Sequence, residues 1–480
     1  MRIGTTSSVI LLSEGFRLDA SYRANEGSKV LSLLHKWKSA NSLSRRLDSI
    51  CNVCLPNGIF IGGRAKRHYV DDPEHGIPFL SSSDMLLASM DGVKFISKQL
   101  LALDTLLLRP GWTLISRSGT IGNTAYVRGD MDGLAGSEHI MRVVADPKKI
   151  LSGYLYAFLS SIVGVSMIRQ GTFGAVIDTI EPKYIASLPI PRLDPTQEEH
   201  IHQLIEQAAQ LRVEANRDLH QAQDILQTNI FGNKNNNSAF HISRINRITL
   251  GLTNSSEIYS KGYRLDAGLY ANAGSKSQQY LNHWRASDPQ NNKLDLIGDV
   301  CLKYGIFIGS RAKRVYVDDP AHGIPFLSSS DMLLASFRHV NLISNKQPDL
   351  TKLILRQGWT LISRSGTIGN VTYVRRDMDG LAGSEHIMRV VADPIKIPSG
   401  YLFAFLNSPL GVSLIRQGTF GSVVNTIAPE FIATLPIPRL NNDQEISIHK
   451  LIEKAFDLQA KANETENQAQ KILIKLLAIA

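Results

Sequence analysis

The sequence predicts an α+β protein built from two tandem mixed α/β domains, each followed by a long α-helix. Three observations predict it: a repeat that spans the chain, short β-type runs in the first part of each repeat, and a long amphipathic segment in the second part. We expect the two long helices to pair as an antiparallel coiled coil, which would give the chain pseudo-two-fold symmetry.

The repeat has a fixed offset of 247 residues. The segment LISRSGTIGN occurs at 114–123 and again, unchanged, at 361–370. Residues 58–89 return at 305–336 with three differences in 32 positions. This period is far longer than the 20 to 50 or so residues of a solenoid unit, so a whole domain with its connector has been duplicated.

The first part of each repeat is rich in short strand-like runs such as GIFIG, GWTLISRSG and HIMRVV. Turn signals such as DDPEHGIP and SGTIGN separate them, and GYLYAFLSS is typical of a helix. These patterns predict short strands in a curled sheet with a few helices. The first domain is placed at 1–194 and the second at 257–441.

The second part of each repeat predicts a long helix, at 195–231 and 442–480. Pro195, Thr196 and Glu199 are typical of a helix start, and the first segment has no glycine or further proline before Gly232. Its apolar residues recur every three or four positions. The predicted pairing seam consists of Ile201, Leu204, Ala208, Leu211 and Ala215, followed in the second helix by Ile448, Leu451, Ala455, Leu458 and Ala462.

The equal length of the two helices favours pairing over the alternative of an ordinary core-facing helix. A helix of about 35 residues spans roughly 50 Å, and the alanines of the seam permit close approach. One seam position departs from the repeat, because Leu219 corresponds to Glu466. The Asn-rich segment between the repeats, 232–256, predicts an exposed connector.

Composition narrows the class of protein. The chain has 480 residues, 43% of them hydrophobic, and a net charge of +9 with a pI near 9.3, which favours an acidic partner such as nucleic acid. No apolar run reaches the 18 or so residues of a membrane span, and the N-terminus lacks the pattern of a signal peptide. Three cysteines fit a reducing compartment, so a cytoplasmic location is expected.

No metal site is predicted. Cys51 and Cys54 have ligand spacing, but a zinc site needs four ligands and usually a second pair. In the second repeat Gly298 replaces Cys51, and Cys301 corresponds to Cys54. We therefore expect structural, buried thiols.

No catalytic residue is predicted either. Ser137, Glu138 and His139 are sequential neighbours, whose side chains alternate in direction on a strand rather than converge as in a triad. SGTIGN lacks the Gly-Lys-Ser/Thr ending of a phosphate loop, so a turn between strands is favoured. The chain has neither a Gly-rich cofactor loop at a strand-to-helix turn nor the Asn/Asp-Pro-Pro-aromatic element of amino-methylating enzymes. We expect no cofactor on this chain.

Polar loops suited to DNA remain. Arginine and lysine contact phosphates or guanine, asparagine pairs with adenine, and small hydroxyl residues and glycines allow close backbone approach. The segments GRAKR, SSSD, SRSGTIGN and RQGT supply these residue types in both repeats. The candidate DNA-binding residues are Arg64, Lys66, Arg67, Ser82, Ser83, Arg117, Ser118, Thr120, Asn123, Arg169, Gln170 and Thr172, with Arg311, Lys313, Arg314, Ser329, Ser330, Arg364, Ser365, Thr367, Asn370, Arg416, Gln417 and Thr419 in the second repeat.

The chain resembles the specificity (S) subunit of type I restriction-modification systems along essentially its whole length. GWTLISRSGTIGN is similar to that family's element in which a strand runs into Arg-Ser/Thr-Gly-x-x-Gly. GTFGAVIDTIEPKYIASLPIPRLDPTQEEHIHQLI, repeated as GTFGSVVNTIAPEFIATLPIPRLNNDQEISIHKLI, resembles the segment that closes each target-recognition domain with Leu-Pro-Ile-Pro and enters the helix.

The resemblance implies a non-catalytic reader of split DNA targets. Its two target-recognition domains would each bind one half-site. Its helices would fix the separation of the halves and dock modification subunits, with two expected, which carry S-adenosylmethionine; a restriction subunit would join for cleavage. The family usually has two dissimilar domains, whereas the two domains here are nearly the same.

Near-identical domains on antiparallel helices predict an interrupted near-palindrome, its half-sites about 10 base pairs apart centre to centre. The repeats differ most between 91–108 and 338–355, which would make the palindrome imperfect if that loop reads bases. Two alternatives stay open: a scaffold that recruits proteins without binding specific DNA, and a DNA-processing enzyme with an unrecognised site.

Overall fold

The computed structural model describes residues 26–39, 45–64, 66–100, 103–172, 179–232, 273–311, 313–338, 340–419 and 425–477. The predicted connector 232–256 lies outside the described residues except for Gly232. The chain divides into two units. Unit 1 combines the residues up to Val213 with those from Lys461 onward, and unit 2 comprises Glu214–Ala460.

The first repeat contains six helices and ten strands among its described residues. They are α1 (Glu26–Ser39), β1 (Arg46–Ser49), α2 (Ile50–Val53), β2 (Cys54–Ile61), β3 (Tyr69–Val70), β4 (Gly76–Leu80), β5 (Phe95–Ser97), β6 (Thr113–Ser116), β7 (Thr124–Tyr126), β8 (Ala135–Gly136), β9 (Ile140–Ala145), α3 (Ser152–Ser160), α4 (Ile162–Gln170), α5 (Pro182–Ser187), β10 (Pro189–Arg192) and α6 (Pro195–Phe231).

The second repeat gives the same elements in the same order. They are α7 (Ala273–Ser287), β11 (Lys293–Leu296), α8 (Ile297–Val300), β12 (Cys301–Ile308), β13 (Tyr316–Val317), β14 (Gly323–Leu327), β15 (Leu342–Ser344), β16 (Thr360–Ser363), β17 (Val371–Tyr373), β18 (Ala382–Gly383), β19 (Ile387–Ala392), α9 (Ser399–Leu406), α10 (Pro409–Gln417), α11 (Pro429–Ala433), β20 (Pro436–Arg439) and α12 (Asn442–Leu477).

The strands of each unit form more than the single curled sheet that the sequence suggests. In unit 1 one four-stranded sheet has the order β2-β9-β6-β7, and a second has the order β3-β5-β4-β8. All pairs are antiparallel except β4 with β8. β1 and β10 form a separate two-stranded antiparallel ribbon. Unit 2 repeats this arrangement with strands β11 to β20.

A buried arginine on β9 lies where the two sheets meet. Arg142 is fully buried, and its guanidinium donates to the carbonyl oxygens of Ser137 (2.9 Å), Ile140 (2.5 Å), Gly136 (2.5 Å) and Leu106 (3.2 Å). Gly136 lies in β8, Ile140 in β9, Ser137 between these strands and Leu106 before β6. Burial lowers the pKa of Arg142 to about 10. Its carbonyl partners compensate part of the desolvation cost, so the arginine fastens the two sheets together.

The start of α6 is fixed by an ion pair that the sequence pattern does not reveal. Glu198, rather than Glu199, is buried, and its carboxylate accepts hydrogen bonds from Arg192 Nε (2.9 Å) and from the backbone N–H of Leu193 (2.9 Å). Asp194 caps the first turn through the backbone N–H of Thr196 (3.0 Å). The strand β10 and the helix α6 are thereby locked at a defined angle.

The long helices pair antiparallel within each unit, as predicted. In unit 1 Ile201, near the start of α6, shares a core cluster with Leu473, near the end of α12. In unit 2 Leu226, near the end of α6, shares a core cluster with Ile448, near the start of α12. The start of one helix therefore meets the end of the other in both cases.

The predicted seam is buried over most of its length, and Ile201, Leu204 and Ile448 belong to the two core clusters. Its alanines and isoleucines are buried, and two of its leucines are half-buried. The buried members are Ile201, Leu204, Ala208, Leu211, Ala215, Ile448, Ala455 and Ala462, and the half-buried members are Leu451 and Leu458.

Candidate nucleic-acid interface

Four polar loops follow four strands in each unit. In unit 1 they are residues 62–64 and 66–67 after β2, 81–84 after β4, 117–123 after β6 and 137–139 after β8. We call these loops and their counterparts in unit 2 the four-loop surface of each unit.

The strand pairing brings these loops together. β4 and β8 are parallel neighbours, and the backbone N–H of Ser137 donates to the carbonyl of Leu80 (2.9 Å). The backbone N–H of Arg117 donates to the carbonyl of His139 (3.0 Å). These main-chain hydrogen bonds tie neighbouring loops together independently of their side chains.

The loop after β6 is a glycine turn between strands, as the sequence predicts. Gly119 and Gly122 have positive φ values of 76° and 88°, a region that other residues rarely adopt. Ser116 Oγ closes the turn by donating to the carbonyl of Thr120 (2.5 Å) and accepting from the backbone N–H of Asn123 (3.1 Å). A Cβ on Gly122 would lie 3.1 Å from Cγ of Arg169, so the turn also packs closely on the end of α4.

Side-chain contacts reinforce the four-loop surface. Arg67 Nη2 lies 2.7 Å from Glu138 Oε1, and Arg314 Nη2 lies 2.7 Å from Glu385 Oε2 in unit 2. Burial is the largest single influence and raises the pKa of Glu138, but the hydrogen bond from Arg67, a backbone hydrogen bond and the charges of Arg67 and His139 together outweigh it, so the net pKa is lowered. The carboxylate therefore stays ionised and positions the arginine.

A serine-histidine contact joins two further loops. Ser118 Oγ lies 2.7 Å from His139 Nδ1, and Ser365 Oγ lies 2.7 Å from His386 Nδ1 in unit 2. The imidazole of His139 is exposed on the same surface. In the sequence, Glu138 and His139 stand out only as members of a triad that does not converge. The duplication of GSEH was the available signal that they belong to the loop surface.

The predicted DNA-binding residues fall into three groups by exposure. The exposed members are Arg64, Lys66, Arg67, Ser83, Thr120, Arg169, Arg311, Lys313, Ser330, Thr367 and Arg416. The half-buried members are Ser82, Ser118, Asn123, Thr172, Arg314, Ser329, Asn370 and Thr419. The buried members are Arg117, Gln170, Arg364, Ser365 and Gln417.

The buried glutamines hold the domain together instead of facing outward. Gln170 Nε2 donates to Ser28 Oγ (2.8 Å) and Gln417 Nε2 donates to Ser275 Oγ (3.1 Å), which fastens α4 to α1 and α10 to α7. Both glutamines end an apolar helix, and a residue at that position packs against the neighbouring helix. Their side chains are not part of the exposed surface.

The buried arginines anchor the turn from below. Arg117 Nε donates to the carbonyl of Ile180 (3.2 Å), and Arg364 Nε donates to that of Ile427 (3.2 Å). Burial lowers the pKa of Arg364, and the positive charge of Arg311 lowers it further. That interaction places the arginine of the GRAKR loop near the arginine of the SRSG loop in unit 2.

The SSSD segment begins a short 3-10 turn, Asp84–Leu86, rather than a longer helix. Asp84 accepts a hydrogen bond from the backbone N–H of Ser81 (2.8 Å), and Ser81 Oγ accepts one from the backbone N–H of Asp84 (3.2 Å). Ser83 Oγ remains on the exposed side, 2.9 Å from Ser81 Oγ.

The cysteines differ from the expectation at one position. Cys54 and Cys301 are buried, but Cys51 is exposed because it lies on the outer face of the one-turn helix α2. Within the described part of the chain, no group of three or more His, Cys, Asp or Glu side chains could hold a metal ion. No helix among the described residues is long and apolar enough to cross a membrane.

Comparisons with known proteins gave structural neighbours only. No family model and no curated protein matches the sequence. One solved structure, a type I restriction-modification system S subunit from M. genitalium, is 15% identical over 92% of this chain and 95% of its own, with a TM-score of 0.30. The HsdS subunit from Thermoanaerobacter tengcongensis is 14% identical over 91% of this chain and 97% of its own, with a TM-score of 0.27.

A third neighbour comes from a study of complex assembly and conformational transition of the type I R-M system. It is 14% identical over 91% of this chain and 98% of its own, with a TM-score of 0.27. TM-scores of this size describe a poor superposition of whole chains.

Proposed function

We propose that this chain is the DNA sequence-recognition subunit of a type I restriction-modification complex. The observation that supports the proposal most is the four-loop surface, which places the same exposed arginines and lysines beside a rigid glycine turn in both units. Arg64, Lys66 and Arg169 in unit 1 have the counterparts Arg311, Lys313 and Arg416 in unit 2. A single exposed basic loop is common, but the same polar loop set built twice on a tandem repeat is typical of a protein that reads a bipartite target.

The two groups of residues would have separate tasks. The exposed basic side chains suit phosphate contacts, which give affinity without sequence information. The serine, threonine and asparagine side chains of the turn, with its two glycines, suit contacts to base edges. The buried Arg117 and Arg364 would position the turn from behind.

The proposed target has two half-sites in inverted orientation. Since the four-loop residues are nearly the same in both units, each unit would read the same or nearly the same short word. Residues 91–108 and 338–355 would introduce a difference, because Asp91 in one repeat corresponds to Arg338 in the other. The half-sites would lie about 10 base pairs apart, one turn of the double helix.

The partners belong to the same proposal. The long helices would dock two DNA methyltransferase (modification) subunits, which would bind S-adenosylmethionine and carry out methylation, and a restriction subunit would add cleavage. This chain would contribute no catalytic group and would act in the cytoplasm.

The deciding experiment is a selection from randomised DNA duplexes by this protein co-expressed with its modification subunits, followed by sequencing. We expect two inverted copies of one short word at a fixed spacing. Two unlike words would keep the reader function and disprove the near-palindrome. No enrichment at low salt would leave the protein-recruiting scaffold as the better explanation. Calorimetry of this chain alone with S-adenosylmethionine should give no binding heat; a heat would favour an enzyme.

A further inference from the structure

A buried polar cluster joins the two long helices in unit 1. Arg212 of α6 lies 2.6 Å from Glu466 of α12, measured from Nη2 to Oε2, and also donates to Asn463 Oδ1 (2.7 Å). Tyr156 of α3 donates its hydroxyl to Glu466 Oε1 (2.6 Å). The side chains of Arg212 and Glu466 are only 10% and 3% exposed. A charge pair this deeply buried depends on its partner, since neither charge can be solvated alone.

Unit 2 replaces three of the four residues of this cluster, and only Asn463 has the same residue, Asn216, at the equivalent position. The positions equivalent to Arg212, Glu466 and Tyr156 are occupied by Gln459, Leu219 and Phe403, respectively. The three substitutions are matched, because together they remove both charges and the phenol that bonds to one of them. Gln459 instead accepts a hydrogen bond from Arg375 Nη1 (3.1 Å).

Unit 2 has its own ion pair between the helices. Lys454 Nζ of α12 lies 2.8 Å from Asp218 Oδ2 of α6, and the side chain of Asp218 is only 4% exposed. The equivalent positions in unit 1 hold Gln207 and Thr465. The polar contacts of the two units therefore differ although the apolar seam is shared.

This difference matters for pairing with a second copy of the same repeat. If α6 paired with another α6, Arg212 would face Leu219 and Asp218 would face Gln207. If α12 paired with another α12, Glu466 would face Gln459 in place of Arg212. Every such pairing leaves a buried charge without its ion partner. The seam residues from Ile201 to Ala215 would accept it, because they are identical to those from Ile448 to Ala462.

We propose that Tyr156, Arg212, Asp218, Lys454 and Glu466 form a pairing determinant that makes α6 and α12 accept each other and reject a second copy of themselves. Near-identical repeats need such a device, since their seams cannot tell the two helices apart. The buried charges give this selectivity in the way that a single buried polar residue sets the partner in a coiled coil. With this determinant, every helix pair consists of one α6 and one α12, so each assembly contains one first repeat and one second repeat.

The test uses the full chain with a protease site inserted between Asn236 and Asn237 in the connector sequence. The purified protein is cleaved, unfolded in urea, refolded by dilution and examined by native mass spectrometry, which resolves the two fragments by mass. Random re-pairing would give about half unlike pairs; we expect more than about nine-tenths. Recovery of about half from the natural sequence would overturn the proposal.

The chain itself supplies the matched variant. Substituting Tyr156→Phe, Arg212→Gln, Glu466→Leu, Asp218→Thr and Lys454→Gln installs at each position the residue that the other unit already has there. The unlike fraction should then fall toward about half. Five exchanges at exposed positions outside the helix pair serve as the control and should leave the fraction unchanged: His68→Val, Glu74→Ala, Gln99→Lys, Gly129→Arg and Lys148→Ile.

A second measurement on the intact, uncleaved chain keeps the proposal testable if the fragments do not refold. Glu466→Leu alone places a leucine opposite the buried Arg212, which then has no ion partner. The midpoint of thermal unfolding should fall by about 10 °C. Adding Arg212→Gln and Tyr156→Phe should restore most of that decrease. If the single and the triple variant have the same midpoint of thermal unfolding, a mismatched partner does not destabilise the cluster and the proposal is wrong.

Discussion

Arg117 and Glu181 form an ion pair in unit 1, with 2.7 Å between Nη2 and Oε1, and unit 2 has no equivalent because Ala428 stands where Glu181 does. Arg117 is buried, whereas the carboxylate of Glu181 is 48% exposed beside the SRSG loop. Beside the SRSG loop, position 181 therefore carries a negative charge that the equivalent position of unit 2 lacks, whereas Glu430 of unit 2, where unit 1 has Lys183, also acts electrostatically on Arg364. An exposed carboxylate repels phosphate and holds one end of the guanidinium.

This asymmetry predicts opposite effects of two substitutions on DNA affinity. Glu181→Ala should tighten binding about two- to fivefold at low salt, because it removes one repulsive charge of surface strength. Ala428→Glu should weaken binding by a similar factor. Fluorescence anisotropy titrations of the selected duplex would measure both, and effects of the same sign would contradict the interpretation.

The exposed cations predict a change in salt dependence. Replacing Arg64 and Lys66 by alanine, or Arg311 and Lys313 in unit 2, should reduce the slope of log affinity against log salt by about 0.9 for each phosphate that the protein no longer neutralises. The measurement is a titration of the same duplex at several salt concentrations.

The control for this experiment is Lys148→Ile, which removes an exposed positive charge at a position where the second repeat has Ile395. Its slope should stay unchanged. If Lys148→Ile and the loop variants lower the slope equally, the contribution is general charge and not the four-loop surface.

The buried arginines predict a decrease in stability rather than in charge-dependent binding. Arg142→Met keeps the apolar stem but removes the guanidinium hydrogen bonds to four carbonyl oxygens, of which Leu106 O and Ser137 O keep a backbone N–H donor. We expect the free energy of unfolding of unit 1 to fall by about 3 to 5 kcal/mol. Urea unfolding would measure it, with Arg389→Met giving the matched decrease in unit 2.

Arg46→Met is the control, because it removes an exposed guanidinium instead of a buried one. Its side chain is 65% exposed and forms an ion pair with Asp48 (3.1 Å), so we expect a change within about 0.5 kcal/mol. An equal decrease from Arg46→Met and Arg142→Met would show that the carbonyl contacts of Arg142 contribute little.

The thiols predict selective labelling. Burial raises the pKa of Cys54 and of Cys301 to about 12, whereas Cys51 is exposed. The reactive species is the thiolate, so iodoacetamide at about pH 8 should modify Cys51 in the folded protein and all three cysteines only after unfolding. Cys51→Ser should abolish labelling of the folded chain; rapid modification of Cys54 would contradict the burial.

The same shift fixes the sign of a pH effect. A thiol whose pKa is raised on folding stabilises the folded state below its unfolded pKa, and this contribution is lost as the pH rises from about 9 toward 12. Unfolding at about pH 7 and about pH 10.5 in Cys54→Ala, compared with the natural sequence, would detect it as a smaller alkaline decrease of stability in the variant.

The duplication, the strand or helix character of the quoted segments and the antiparallel helix pairing were within reach of the sequence. The fixed offset of 247 residues can be read directly from the sequence. The apolar residues from Ile201 to Ala215 recur every three or four positions, which indicates a helix. The turn at Gly119 and Gly122 was predictable for the same reason, since glycine between two β-type runs is a local signal. Local patterns determine local structure.

Other features depended on contacts between residues far apart in the chain. Nothing local distinguishes the buried Arg142 from an exposed arginine on a strand, because its burial follows from carbonyls contributed by two sheets. Gln170 was expected on the surface for its polarity, but the close packing of α1 on α4 buries it.

The sequence by itself determined that one α+β unit occurs twice, with its strands, its turn and its helix, because these depend on neighbours within a few residues. Only the tertiary structure decided which arginines face outward, which carboxylates hold them, and which polar residues meet between α6 and α12. Arg212 and Glu466 are 254 positions apart, and their pairing depends on a helix register that neither segment specifies alone.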